Sequence, residues 1–339
     1  MPTQPFYRRP KILWTISGLI GVILLTSLWF RISPVPGAFV VRAVFDMDAR
    51  SKREAMQPQT PTTTISVTSN LAYGDTKDTV LDIYMPQTDT PLPVIVWTHG
   101  GAWLSGDKTD SDAYFKKLAA EGFVVVAPNY TLAPRAQYPT QINQLNSALH
   151  FVNANADQFS IDATKIVLAG DSAGAQLSSQ MATIITNPAY AKTIDIAPAL
   201  QPSQVAATVL FCGIYQVDVL ATADPSLPKI IGWGTDITIW SLFGSRDADN
   251  PQLRQASALY HLDENFPPSF ISGGNGDSLT KVQSEPLATH LQSLGVDTTT
   301  LFYPDNHEPR LPHENQFIFD KDGLENFDTT VRFIKSTTE

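Results

Sequence analysis

Cysteine is nearly absent from this chain of 339 residues, and Cys212 is the only one. A single cysteine cannot form an intramolecular disulfide framework, and it cannot supply a cysteine-rich metal site. Because Cys212 lies in the apolar run VAATVLFCGIY, we expect it to be a small buried core residue. The chain also lacks internal repeats. Its composition, 43% hydrophobic and 17% charged, is typical of a globular protein.

Positive charge is scarce in most of the chain, and the formal net charge is −10. Residues 1–59 carry eight Lys or Arg and three Asp or Glu, which gives this end a net charge of +5. The remaining residues carry fifteen and thirty, a net charge of −15. An acidic body argues against nucleic-acid binding, whereas a basic end suits a position beside a membrane.

Charge is entirely missing from residues 12–30, ILWTISGLIGVILLTSLWF. At about 1.5 Å per residue, a helix of this length approaches the thickness of the bilayer core. Trp14 and Trp29 lie near its two ends, where aromatic rings favour the membrane interface. The following RISPVPGAF shows no A-x-A cleavage pattern. We therefore predict one uncleaved transmembrane helix.

The regions on either side of this segment complete the predicted organisation. Residues 1–11 form a basic tail, residues 31–61 a juxtamembrane linker with solvated character toward QPQTPTTT, and residues 62–339 the folded domain. The tail favours a cytoplasmic N-terminus and hence a single-pass protein whose folded domain lies outside the cytoplasm. Basic residues after the span favour the opposite orientation; they are Arg31, Arg42, Arg50, Lys52 and Arg53.

The folded domain alternates between short apolar runs and amphipathic stretches. The predicted strands are ISVTSNLAYG, TVLDIYMP, PVIVWTHGG, FVVVAPNY, KIVLAG, AATVLFC, PSFISGG and TTTLFYP. The predicted helices cover residues 110–121, 140–155, 173–186, 284–294 and 324–336. This pattern indicates an α/β fold with a mostly parallel, doubly wound sheet. Residues 215–262 interrupt the alternation, and we interpret them as a cap-like insertion over one end of the sheet.

A candidate nucleophile lies in KIVLAGDSAGAQL, where a buried strand meets a helix. Gly170, Ser172 and Gly174 form a G-x-S-x-G pattern at this junction. Such a turn holds the serine in a strained conformation at the top of a sheet, and the glycines leave room for neighbouring backbone. The amide of Ala173 and the N-terminus of the following helix favour negative charge beside Ser172.

WTHGGAW follows an earlier buried strand and contains two consecutive glycines, which lose much conformational entropy when they are ordered. A tetrahedral intermediate needs further hydrogen-bond donors that are in place before the reaction begins. Gly100 and Gly101 lack Cβ atoms, so their amides can approach a substrate oxygen closely. We expect His99 to fix this loop by a hydrogen bond. Trp103 is a candidate for lining the substrate pocket, with a packing role as the alternative.

HGGAW, PNYTLAP and GDSAG together resemble the hormone-sensitive-lipase-like branch of the α/β-hydrolases, which includes feruloyl-esterase-like and kynurenine-formamidase-like members. The resemblance covers about residues 62–339. It implies an α/β-hydrolase fold with an oxyanion hole made by Gly100, Gly101 and Ala173. Ala102 replaces the third glycine of the HGGG form, and Ala175 follows GDSAG. Neither change removes a backbone amide.

The acid and the base of a triad follow the serine in this fold. Asp277, in the glycine-rich PSFISGGNGDSLT, is the predicted acid, and Asp305 is the weaker competitor. Two histidines in FYPDNHEPRLPHENQF compete for the base. His313 lies in LPHENQF, which is similar to the ending of membrane-anchored members of the superfamily, and His307 remains the alternative. His261 precedes Asp277, and His290 lies in a predicted helix.

These residues predict a serine hydrolase that cleaves esters of small or short-acyl substrates through an acyl-enzyme. The chemistry requires no metal or other cofactor. An amidase, formamidase or peptidase using the same triad remains open, and so does a catalytically silent binding module. The expected partners are a small-molecule ester and, through the N-terminal helix, a membrane. The sequence does not indicate an oligomeric state.

Overall fold

A computed structural model describes residues 10–222 and 228–339 of the chain. Its centre is one eight-stranded sheet. The strands, in chain order, are β1 (Ile65–Ala72), β2 (Val80–Pro86), β3 (Leu92–Thr98), β4 (Val124–Pro128), β5 (Ile161–Asp171), β6 (Val205–Phe211), β7 (Ser269–Gly273) and β8 (Thr298–Phe302). Every predicted strand is therefore confirmed, with ends shifted by a few residues.

The strands lie in the order β1-β2-β4-β3-β5-β6-β7-β8. β1 pairs with β2 and β2 with β4 in antiparallel fashion, and the other pairs are parallel. The prediction of a mostly parallel sheet is confirmed. Because the chain moves from β3 to β4 on one side and then to β5 on the other, β3 and β5 meet at a topological switch point.

Helices cover both faces of the sheet, as parallel strands require. They are α1 (Pro10–Ile32), α2 (Val35–Met56), α3 (Asp112–Ala120), α4 (Thr140–Ala154), α5 (Ala173–Thr186), α6 (Pro188–Thr193), α7 (Val217–Ala221), α8 (Lys229–Phe243), α9 (Pro251–Gln255), α10 (Glu285–Ser293) and α11 (Lys321–Thr338). α4, α5 and α10 pack on one face, and α3 and α11 on the other.

Alternation along β3 shows why both faces need cover. Val94 and Val96 enter the core beneath α4 and α5, while Ile95 and Trp97 enter the core beneath α3 and α11. All four side chains are essentially inaccessible to solvent. The sheet is thus buried on both sides, and its strand ends are the places where polar groups can reach solvent.

The interruption at residues 215–262 contains α7, α8, α9 and a 3-10 turn at Ala258–Tyr260. Residues 223–227 of this predicted insertion lie outside the described residues. The sequence of α8 showed no clean helical period because its own apolar residues lie on all sides of the helix. Ile237, Ile239 and Leu242 are buried, whereas Ile230 and Ile231 at its first turn are exposed.

The N-terminal region forms two helices of different character. From Trp14 to Ile32, α1 has a mean hydropathy of 1.7 with no part buried, so its length and composition would let it cross a membrane. A signal sequence has the same properties. α2 differs from the predicted linker, because its Pro36–Ala38 segment, Val41 and Met56 are buried against the folded domain. The linker prediction missed these tertiary contacts.

Candidate active site

Ser172 lies at the sharp corner between β5 and α5. Its backbone has φ 51° and ψ −119°, in a region that L-residues rarely adopt. A Cβ atom at Gly174 would lie 1.9 Å from the carbonyl oxygen of Thr98, and one at Gly170 would lie 2.7 Å from the same atom. The two glycines of the motif therefore allow the corner to close against β3. Ser172 is buried, and its amide donates to the carbonyl of Phe211 at 2.8 Å.

His313 links the predicted serine and the predicted acid. Its Nε2 lies 3.0 Å from Ser172 Oγ, and its Nδ1 lies 2.8 Å from Asp277 Oδ2. Asp277 is anchored in turn, because its Oδ1 accepts from the amide of Leu279 at 2.9 Å. The Asp277 side chain is almost fully buried, whereas the His313 side chain is 30% exposed. The structure therefore brings together three residues that are far apart in the sequence, and it leaves the imidazole partly accessible.

Charge around His313 favours a protonated imidazole. Burial lowers the pKa of this ring, but the groups on Cys212 and Asp277 outweigh burial and raise the pKa well above its usual range. Burial raises the pKa of the Cys212 thiol, which favours its neutral form. We therefore assign the rise in the His313 pKa to the Asp277 carboxylate. An imidazolium is thus well stabilised at this position, which is the charge state that a general base acquires during acyl transfer.

The alternative base, His307, does not reach Ser172. Its Nε2 lies 3.2 Å from Asp322 Oδ2 on α11, and its ring packs against Tyr303. Asp305, the competing acid, is exposed and pairs with Lys281 at 2.6 Å. Both residues therefore make contacts away from Ser172, on the connection between β8 and α11.

Three other histidines considered in the sequence lie elsewhere in the fold. His261 stacks on Tyr190, and His290 lies within α10. His99 is buried, and its Nδ1 lies 2.8 Å from the carbonyl oxygen of Gly100. Burial lowers the pKa of His99, so the ring is neutral and its Nδ1–H donates to that carbonyl. This contact is the loop-fixing hydrogen bond that we expected.

The predicted oxyanion donor at Gly100 requires a correction. The amide of Gly100 donates to Asp171 Oδ2 at 2.8 Å, so it is already engaged inside the protein. A Cβ atom at this position would lie 2.3 Å from the same oxygen. Gly100 is a glycine because the Asp171 carboxylate approaches its backbone, not because a substrate oxygen does. The sequence could not show this approach, since it depends on how β3 and β5 align.

Other amides at the two corners remain available. Within residues 10–222 and 228–339, no protein acceptor takes a hydrogen bond from the amides of Gly101, Ala102 or Ala173. Gly101, Ala102 and Trp103 all have positive φ, so the loop turns tightly after β3. Because β3 and β5 are parallel and Thr98 is level with Gly170, these corners lie side by side at one edge of the sheet. The arrangement offers several free donors near Ser172.

Trp103 is a packing residue in this structure. Its side chain is 1% exposed and lies in the core that includes α4 and α5. Its Nε1 donates to Gln176 Oε1 on α5 at 3.0 Å. The candidate role of lining a substrate pocket is therefore replaced by the packing alternative, because the indole is turned inward.

Two buried carboxyl groups next to the motif residues were not predicted as part of the site. Asp171 accepts from Trp97 Nε1 through Oδ1 as well as from Gly100 through Oδ2. Glu314 follows His313 directly and places Oε1 3.8 Å from His313 Nε2. Both residues stand inside the quoted GDSAG and LPHENQF motifs. The sequence signal that could have identified Asp171 and Glu314 was therefore their position next to Ser172 and His313.

The donor atoms of Cys212, Asp277 and His313 lie within 4.8 Å of one another, a separation that a metal ion could bridge. Both nitrogens of His313 already face hydrogen-bond partners, however. Binding a metal would require the imidazole to give up one of these contacts. The observed geometry instead favours proton transfer between Ser172 and His313.

The chain has an α/β-hydrolase fold. It superposes on an esterase B from Lactobacillus rhamnosis with a TM-score of 0.75 at 21% identity, covering 89% of this chain and 96% of that one. An esterase from Pyrobaculum calidifontis gives a TM-score of 0.67 at 22% identity, covering 88% and 93%. The BD-FAE family model matches residues 81–291, and the chain belongs to this family. The predicted fold is thereby confirmed.

Curated relatives include two esterases of Mycobacterium tuberculosis. Esterase LipC is 28% identical over 216 residues, which is 62% of this chain and 51% of the relative. The probable carboxylic ester hydrolase LipM is 30% identical over 219 residues, which is 63% and 49%. The chain thus matches about half the length of these relatives. Their names concern ester hydrolysis, the activity class to which the sequence motifs also point.

Proposed function

We propose that the protein is a carboxylic ester hydrolase with Ser172 as nucleophile, His313 as general base and Asp277 as orienting acid. The observation that carries this proposal is the continuous hydrogen-bonded line from Ser172 Oγ to His313 to Asp277, at 3.0 Å and 2.8 Å. A nucleophile, a base and an orienting group within hydrogen-bond reach are the geometric signature of serine acyl transfer. The esterase relatives support the same reaction class.

Acylation begins when His313 Nε2 accepts the Ser172 hydroxyl proton. The Ser172 oxygen forms a bond to the ester carbonyl carbon, and the carbonyl oxygen becomes an oxyanion. We assign its stabilisation to the amides of Gly101 and Ala173, with that of Ala102 as the remaining free donor of the loop. The C–O bond to the alcohol then breaks, and the imidazolium returns its proton to the departing oxygen.

Deacylation repeats these steps with water. His313 removes a proton from the water, whose oxygen attacks the acyl carbon, and the bond to Ser172 Oγ breaks. Asp277 acts without changing its own protonation, because it holds Nδ1–H and stabilises the imidazolium. The product is a carboxylic acid, and Ser172 regains its proton.

An ester is favoured over an amide by the comparisons, whose relatives are named as esterases. Amidase, formamidase or peptidase activity uses the same atoms and remains the second candidate. A silent binding module would need no alignment of Ser172, His313 and Asp277. The alignment therefore favours catalysis.

A fluorophosphonate probe tests the nucleophile directly. The probe should label the full-length protein in detergent, and Ser172→Ala should abolish the labelling. Ser179→Ala is the matched control, since Ser179 is a buried serine two turns along the same helix. Labelling that persists in Ser172→Ala would refute the assignment, and a wild-type protein without labelling would favour the silent module.

The leaving group is tested with matched substrates. We expect p-nitrophenyl acetate to be hydrolysed and p-nitroacetanilide, which carries the same acyl group, to be hydrolysed much more slowly. Faster cleavage of the anilide would replace the esterase assignment with an amidase. A series of p-nitrophenyl esters of increasing acyl length would then establish the preferred acyl chain, which we propose to be short.

We also propose that α1 anchors the protein in a membrane as a single span, with the catalytic domain outside the cytoplasm. Support comes from the uncharged residues 12–30 of this helix and from Arg8, Arg9 and Lys11 just before them. Protease added to intact cells should then digest the domain. Protection until the cells are opened would reverse the orientation, and recovery of a soluble protein lacking α1 would identify a signal sequence.

A further inference from the structure

α2, which directly follows the predicted membrane span, packs behind the candidate active site. Arg42 donates to the carbonyl oxygens of Leu104 and Ala133, the latter at 3.1 Å. Asp46 accepts from the Ser105 hydroxyl. The contacts with Leu104 and Ser105 attach the helix to the loop that follows β3, which carries the proposed oxyanion donors, and the contact with Ala133 attaches it to the loop after β4. α2 is therefore part of the wall of the site rather than a spacer.

The contact nearest to the chemistry is made by Lys52. Its Nζ lies 2.6 Å from Glu314 Oε2 and 2.6 Å from Asp48 Oδ2, one turn earlier in α2. The Lys52 side chain is only 14% exposed. Burial lowers its pKa, but the charges of Glu314 and Asp48 outweigh burial and raise it overall, so the ammonium stays charged. A buried, charged lysine from α2 is thus fixed on the residue next to His313.

Glu314 passes this contact on to the imidazole. Its backbone is left-handed, with φ 58°, at the residue immediately after His313. Its Oε1 lies 3.8 Å from His313 Nε2, on the side of the ring that faces Ser172. Burial raises the pKa of Glu314, but the Lys52 charge overcomes burial and keeps the pKa below its usual value. Glu314 is therefore a carboxylate that Lys52 holds in position and whose charge is supported by both Lys52 and His313.

Asp171 connects the same cluster to the other corner. Burial, and next the charge of Glu314, raise the pKa of Asp171 to about 8. Asp171 thus lies beside the charged Glu314 with a raised pKa, and Lys52 supplies positive charge to the same cluster. Because Asp171 also holds the amide of Gly100, the cluster joins the loop after β3 to the loop that carries His313.

We propose that Lys52 is a positioning residue for ester hydrolysis, which acts through Glu314 to hold His313 in line with Ser172. This inference rests on the proposed function. It makes the juxtamembrane helix a component of the catalytic apparatus: an undocked α2 leaves a buried carboxylate without its counter-charge beside the base. Removing one partner of a buried ion pair destabilises the folded structure for this reason. Small displacements of a catalytic group also slow the reaction strongly.

Lys52→Met removes the charge while keeping an unbranched side chain. For the full-length protein in detergent micelles, we expect kcat for p-nitrophenyl acetate to fall about 10- to 100-fold with little change in KM. Lys52→Arg keeps the charge and should recover much of the lost rate. Lys335→Met is the matched control, since Lys335 forms an exposed pair with Glu121 far along the chain, and its kcat should equal that of the wild type.

The acid limb of the pH profile of kcat/KM distinguishes positioning from a general loss of stability. The ionisable groups that face this cluster are Asp277 and Cys212 beside His313, Asp171 beside Glu314, and Asp48 beside Lys52. In Lys52→Met no lysine offsets the Glu314 charge, so the imidazolium of His313 is stabilised. The acid limb should therefore shift to a pH about one unit higher. Glu314→Gln should move it down, and the double variant should return it close to the wild-type position.

The outcomes separate the two proposals. If the wild type is active through Ser172 while Lys52→Met retains the wild-type kcat and acid limb, the role of Lys52 is refuted. If Lys52→Met does not fold, the downward shift in Glu314→Gln carries the test, and an unshifted limb refutes the proposal. If the wild type shows no hydrolysis that depends on Ser172, the proposed function fails and this inference fails with it.

Discussion

Two histidines in the connection between β8 and α11, six residues apart, each pair with a carboxylate from elsewhere in the fold. His313 pairs with Asp277 at 2.8 Å, and His307 pairs with Asp322 at 3.2 Å. Both pairs would satisfy a search for an imidazole beside a carboxylate. Only His313 also reaches a hydroxyl group on a strained corner, because only His313 faces the ends of β5 and β7.

The comparison shows that the role of each histidine depends on what its ring contacts besides the carboxylate. Asp322 belongs to the first turn of α11, so its pair with His307 ties the connection to the helix below it. Asp277 follows β7, so its pair with His313 spans two neighbouring strand ends of the sheet. The carboxyl ends of parallel strands are where such groups converge on a ligand.

The largest expected effect comes from His313→Ala. Without the proposed base, Ser172 cannot transfer its proton, and kcat for p-nitrophenyl acetate should fall by about 10⁴- to 10⁶-fold. His307→Ala is the matched control and should keep approximately the wild-type rate. Steady-state kinetics of the two variants provides the measurement. Equal losses would remove the distinction between the pairs.

Asp277→Asn should have the next largest effect. The amide no longer stabilises the imidazolium and permits the wrong tautomer, so we expect a loss of up to about 10⁴-fold in kcat. Asp322→Asn makes the same chemical change in the other pair and should leave kcat near the wild-type value. A comparable rate in Asp277→Asn would mean that another group orients His313.

The pH dependence sharpens the contrast because it reports on the charge of His313 itself. His313 must be neutral to accept a proton, and its pKa is raised by the Asp277 carboxylate against the effect of burial. Activity should therefore disappear as the pH falls through a value above the ordinary histidine pKa of about 6.5. In Asp277→Asn the acid limb of kcat/KM should move to lower pH. A wild-type limb at or below 6.5 would contradict the charge arrangement described for the site.

The smallest effect is expected for the stability contribution of the His307 pair. The His307 side chain is 24% exposed and that of Asp322 only 8%, but an asparagine can still hydrogen-bond to the ring, so Asp322→Asn should lower the free energy of unfolding by only about 1 kcal/mol. Thermal unfolding monitored by circular dichroism would measure this change. A much larger loss would show that the pair is essential to the fold of the connection rather than a local tie.

The central sheet was predictable because its strands are short, apolar and bounded by turn residues. Burial of both faces leaves this pattern whatever the neighbouring strands are. Ser172 was recognisable because the two glycines that let its corner close against β3 stand within two residues of it in the sequence. Asp277 was preferred to Asp305 because it stands in a glycine-rich loop after a late strand, whereas Asp305 directly follows the last one.

Features that depend on contacts between distant segments were not predictable in the same way. The sequence of α2 resembles a charged linker because its buried face is narrow and its polar residues have partners elsewhere, such as Lys52 on Glu314. Gly100 was misassigned because the chain does not reveal that Asp171 occupies its amide. The packing role of Trp103 was hidden for the same reason, since its hydrogen-bond partner Gln176 lies 73 positions later in the chain.

Only Ser33 and Pro34 separate α1 from α2, and two residues span at most about 7 Å. The bend is itself hydrogen-bonded, from the Ser33 amide to Trp29 and from the Ala38 amide to Pro34. A bilayer-anchored form of this protein therefore has no flexible stalk. If α1 spans a bilayer as proposed, this short connection would keep the candidate active site close to the membrane surface.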